Sequence, residues 1–119
     1  MGDLFTISFV EGEVGVTLGA LFRYLTFDFP FTIVGVTCSP SADDAGLTID
    51  INDNGSAAID GIVCATKATP GTWKSTHLGG AQTPVAVAAG SVISFDANSA
   101  AADTRVGIVM TCLLGAKNA

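Results

Sequence analysis

The stretch Asp50-Ile51-Asn52-Asp53-Asn54-Gly55 places side-chain oxygens at its first, third and fifth positions and glycine at its sixth, the opening half of a calcium-binding loop. Its twelfth position, where such a loop needs a bidentate glutamate, is Gly61, and its flanks alternate like strands. The same letters spell a hairpin, because Asn54-Gly55 supplies the two positive-φ residues of a type I′ turn. Asp43-Asp44 sits in a Ser/Pro/Ala loop and offers a hard cation too few oxygens. Glu11 and Glu13 share a strand face at spacing two, but a general acid and base also need a cleft and a substrate-binding apparatus that the sequence does not spell. His77 is the sole histidine; a Ser or Cys hydrolase would have to use it, and no nucleophile motif surrounds it. Cys38, Cys64 and Cys112 are widely spaced, with no Cys-x-x-Cys pair, and are expected to be buried free thiols. Trp73 is expected in core or interface packing, with sugar stacking as the alternative. The parts list of an enzyme is missing, so no catalysis, no metal and no cofactor is expected.

Period-two alternation dominates the elements that position these residues, most cleanly at Leu47-Thr48-Ile49-Asp50-Ile51-Asn52. It predicts strands at 4–10, 14–18, 21–29, 31–38, 47–52, 57–63, 73–78, 84–88, 92–97 and 105–114. In the last, Val106, Ile108, Met110, Cys112 and Leu114 share one face. Gly, Pro, Ser and Asp clusters punctuate the rest, with a single helical turn allowed at 98–103. Eight to ten short strands in one small domain predict an all-β, antiparallel β-sandwich, with a jelly roll as the expected topology.

The chain has 119 residues, enough for one domain. It is 49% hydrophobic and only 13% charged, where about 25% charged is usual. So uncharged a surface argues for assembly. A net charge of −6 counts against nucleic acid and anionic membranes as partners. The first residues have no basic and apolar pattern of a secretory signal, so synthesis in the cytoplasm is expected.

Three segments, Phe29-Pro30-Phe31-Thr32-Ile33-Val34-Gly35-Val36, then Gly46 through Gly55, then Ala88-Ala89-Gly90-Ser91-Val92-Ile93-Ser94-Phe95-Asp96, carry a resemblance. In this order the chain resembles small structural proteins of tailed-phage virions. The resemblance implies a jelly-roll subunit of the virion exterior, made in the host cytoplasm: a capsid cement (decoration) protein, homotrimeric, bound to the major capsid protein. Residues 1–18 would then hold an N-terminal arm and first strands that contact the capsid, and residues 19–119 the sandwich. The expected interface residues are Leu4, Phe5, Phe9, Val14, Val16, Phe27, Phe29, Phe31 and Trp73. The alternative is a tail fibre, spike or receptor-binding module, with Trp73, Asp43 and Asp44 as glycan contacts.

Overall fold

Alternating apolar and polar residues make strands here because each strand has one face to bury. The computed structural model describes residues 3–11, 20–43, 46–64, 66–98 and 105–115. Nine strands follow in order: β1 (Leu4–Glu11), β2 (Ala20–Thr26), β3 (Phe31–Pro40), β4 (Thr48–Asp53), β5 (Ser56–Val63), β6 (Gly71–Lys74), β7 (Val85–Val87), β8 (Val92–Asn98) and β9 (Val106–Leu114). A short 3-10 turn, Thr76–Leu78, lies between β6 and β7.

All strand pairings are antiparallel. A five-stranded sheet runs β1-β9-β3-β6, with β7 also on β3, and a four-stranded sheet runs β2-β8-β4-β5. The two form the expected all-β sandwich around a shared core: Phe31, Ile33, Val36, Cys38, Ile108 and Met110 from the large sheet meet Ile49, Ile51, Ile93 and Phe95 from the small one, with Leu47 just before β4. Strand β3 is buried without a break from Phe31 to Val36. One of its faces lies on the core, and on the other Leu78 of the 3-10 turn covers Gly35, where a Cβ would stand 2.6 Å from Leu78 Cδ1.

The strand expected at 4–10 is β1, which pairs with β9 from Leu4↔Leu113 to Glu11↔Val106. Two expectations are corrected by this architecture. The strand expected at 21–29 stops at Thr26, because the Phe-Asp-Phe-Pro sequence turns the chain into β3. The strand expected at 73–78 stops at Lys74: Ser75 Oγ accepts from the His77 N–H at 3.2 Å, and Gly79 takes the left-handed conformation that closes the 3-10 turn. The strand expected at 14–18 lies outside the described residues, as do residues 99–103 of the helical turn allowed at 98–103, while Asn98 ends β8.

At one edge the two sheets approach backbone to backbone. Gly71 opens β6, and a Cβ there would run into the carbonyl of Val63 at the end of β5. Gly71→Ala is expected to force this edge apart and to lower stability by about 1–3 kcal/mol. Urea denaturation checks it: the midpoint should fall while the slope stays unchanged.

Candidate functional site

The half-formed calcium motif is a hairpin. Asn54 (φ 51°) and Gly55 (φ 82°) occupy the positive-φ positions of the β4–β5 turn. The three oxygen-bearing side chains are committed to separate partners. Asn54 Oδ1 accepts from the Val92 N–H at 2.9 Å, Asp50 Oδ1 accepts from the Gly61 N–H, and Asn52 Nδ2 donates to Asp96 Oδ2 at 3.0 Å. The turn thus ties the start of β8 to the end of β4, a structural use of the polar letters. Asp43 Oδ1 accepts from the Lys67 N–H at 3.0 Å, while Asp44 and Glu13 lie outside the described residues. Glu11 is the last residue of β1. His77 is exposed on the 3-10 turn. Among the described residues no three His, Cys, Asp or Glu side chains gather as metal ligands.

The three cysteines are buried and free. Cys38 on β3 and Cys64 just past β5 meet across the sandwich, their thiols hydrogen-bonded. The hydrogen bond to Cys64 and burial together push the Cys38 thiol well above its ordinary value. Burial alone pushes Cys112 up to about 12. Sequence reasoning anticipated the burial but missed the pairing, because spacing along a chain carries no signal for which strands face each other across two sheets.

Of the expected interface residues, four converge in one aromatic cluster at the end of the sandwich where β2 turns into β3. Phe27 lies 5.4 Å from Phe29 and 5.3 Å from Phe31, and Phe5 lies 6.0 Å from both Phe29 and Phe31. Phe31 is 1% exposed, so it is a core residue with no surface to offer a partner, and its expected interface role is corrected. Phe29 at 38% exposure is the outer member of the cluster. Phe9 packs edge-on against Phe95 at 4.9 Å, joining β1 to the core. Leu4 is exposed, Trp73 is partly buried against the core, and Val14 and Val16 lie outside the described residues.

Two surface features remain. The first is the outer face of the large sheet, read from the register because directly paired residues point the same way. One row across β1, β9, β3 and β6 is Ser8, Val109, Thr37, Thr72; the next is Thr6, Thr111, Gly35, Lys74. With Val10, Gly107 and Ser39 beyond them, these rows hold no carboxylate and one charge, Lys74. A depression of about 230 Å³ opens above Gly107, lined in part by Ser8, Val10, Ser39 and Val109. The outer face of the small sheet differs, placing Asp50 directly opposite Asp96. The second feature is a groove of about 500 Å³ between β5 on one side and β6 with residues 82–85 on the other, lined by Asp60, Trp73 and Gln82 among others.

No known family model matches the chain, and no curated protein matches it.

Because the thiolate is the reactive form, Cys38 and Cys112, buried and held protonated, should be inert in the native protein; the hydrogen bond with Cys38 lowers the Cys64 thiol below its ordinary value, so Cys64 is protected by its burial. At pH 8, iodoacetamide is expected to leave Cys38, Cys64 and Cys112 unmodified in the native chain and to alkylate all three in guanidinium chloride, as read by mass spectrometry.

Proposed function

We propose that this chain is a virion structural protein, a capsid cement subunit that binds the outside of a shell of major capsid protein and stabilises it by burial, without catalysis. The observation that carries this is the outer face of the β1-β9-β3-β6 sheet, built in the rows described of Ser, Thr, Val and Gly with Lys74 as their one charge, and with Leu78 packed over Gly35. A face of that kind costs little to desolvate, since it has no carboxylate to strip of water. At about 25 cal/mol per Å², burying a few hundred Å² of its apolar area contributes several kcal/mol per copy before association costs. A symmetric shell multiplies that contribution. Carboxylates stand on the opposite sheet instead, where Asp50 faces Asp96, and they help keep the free face of a bound subunit soluble.

The strand order supports a jelly-roll reading of the sandwich. The first eight strands apart from β7, together with β9, distribute between β1-β9-β3-β6 and β2-β8-β4-β5, so the last two long strands each insert beside the first two, as interlocked Greek keys require. In the proposed assembly the exposed rim of the aromatic cluster, Phe29 with Leu4 and Leu114 at the same end, contributes to the seam of a homotrimer.

Val109 stands on the central strand of the outer face and is 40% exposed, so Val109→Asp should fold normally while placing a carboxylate in the proposed contact. The wild type is expected to show a mass near three times 12.0 kDa by light scattering after gel filtration and to bind undecorated capsids, and the variant to lose at least about tenfold in capsid binding. A wild type that stays monomeric and binds no capsid, or a variant that binds as tightly as the wild type, would sink the proposal.

A further inference from the structure

The groove at the β5–β6 edge is built by an irregularity in β5. The register steps from Asn52↔Ala57 to Ile51↔Ile59 and then to Ile49↔Ile62, leaving Ala58 unpaired and setting Asp60 and Gly61 against Asp50. Two successive bulges of this kind bend a strand and re-aim its side chains. Gly61 supports the second with φ 67°, and its N–H is held by Asp50 Oδ1. The bulged segment, Ala58 to Asp60, forms one wall of the groove.

Trp73 and residues 82–85 form the other wall. Trp73 pairs with Val36 on β3, so it faces inward at the open edge of the sandwich, and Lys74 after it faces away. Gln82 is clamped by its backbone, donating to the Lys74 carbonyl at 3.3 Å and accepting from the Thr76 N–H at 2.9 Å. The loop before it winds around Ser75, which is fully buried and whose carbonyl accepts from the Gly80 N–H at 2.8 Å. Both walls are therefore fixed before any ligand arrives, which lowers the ordering cost of binding.

A volume of about 500 Å³ falls within the range of small-ligand sites, roughly 300–1,000 Å³. The lining combines an indole, a carboxylate, a primary amide and the Thr83 hydroxyl, and includes no cation. Without a cation, phosphate or sulfate has nothing to pair with, and Asp60 repels it. A wholly apolar occupant would strip water from Asp60 and Gln82 and replace none of their hydrogen bonds. A neutral ring with hydroxyls on its edge and C–H groups on its face satisfies both, the hydroxyls exchanging bonds with carboxylate and amide while the apolar face meets the indole. We propose that the groove bounded by Trp73, Asp60 and Gln82 binds neutral pyranose units of an oligosaccharide.

Trp73 is the only tryptophan in the chain, so its fluorescence reports on this groove alone. The full chain is titrated with maltohexaose, cellohexaose, chitohexaose and, as the anionic comparison, a heparin hexasaccharide, each to about 10 mM, a range that captures even millimolar affinity. The expected result is a saturable change with at least one neutral sugar and none with heparin. Asp60→Asn and Gln82→Ala, both at exposed positions, should each weaken that binding by about three- to tenfold, the worth of one hydrogen bond. No saturable change with any neutral sugar overturns the proposal. So does an equal response to heparin, or a response that both folded variants leave unaltered.

Discussion

Strand β9 inserts between β1 and β3, and everything else in the fold leans on that insertion. It pairs with β3 through nine registered positions, Phe31↔Leu114 to Pro40↔Val106, and with β1 through eight. The Thr32 hydroxyl closes the far end, donating to the Gly115 carbonyl at 2.8 Å across 83 residues of sequence. No part of this ladder is local, so its loop-closure entropy must be met before its contacts stabilise anything. What offsets that cost is the inward row Val106, Ile108, Met110 and Cys112, all fully buried, placed by the ladder opposite the isoleucines of β4 and the Phe95 of β8. Once β9 is seated, β1 has a partner, Phe9 reaches Phe95, and the Phe5–Phe29–Phe31 cluster closes the end.

Seating β9 also decides how charge is divided. Its outward residues, Gly107, Val109 and Thr111, are small and uncharged, and the register lines them up with equally uncharged partners on β1 and β3. The small sheet keeps its carboxylates outward, with Asp50 facing Asp96 and the repulsion moderated by Asn52 Nδ2 on Asp96 Oδ2. A chain this poor in charge has segregated the charge it has, so one face remains easy to desolvate while the other holds water. That asymmetry suits a protein with one face bound and one face free.

Much of the sandwich could be read from alternation because period two is a local property: Leu47 to Asn52 announce both their strand and their buried face. The Asn54-Gly55 turn was equally readable, since its positive φ angles restrict the residue types that fit. Features decided by partners rather than neighbours were not. Phe27, Phe29 and Phe31 sit at alternate positions, which suggests one shared face; the Asp28–Pro30 turn breaks the strand between them and separates a core residue from an exposed one. The end of β6 turned on Ser75, whose backbone N–H still donates to the Val34 carbonyl of β3 while its hydroxyl accepts from the His77 N–H and starts a 3-10 turn. The meeting of Cys38 with Cys64 and the walls of the Trp73 groove depend on which strand edge lies above which, and no single-strand pattern encodes that.

The bulges of β5 join the two functional proposals in one physical argument. As the last strand of its sheet, β5 exposes an unpaired edge, and a straight apolar edge of that length would template pairing with another chain. Two bulges twist it out of register, and Asp60 adds a charge, so the edge is a poor template. A subunit that assembles through its sheet face needs such a guarded edge, or it would polymerise through the wrong surface. The same bulged segment, Ala58 to Asp60, walls the groove beside Trp73. The defence of the edge and one wall of the groove are therefore one structural feature, and a ligand small enough to enter would add no new edge for a strand to follow.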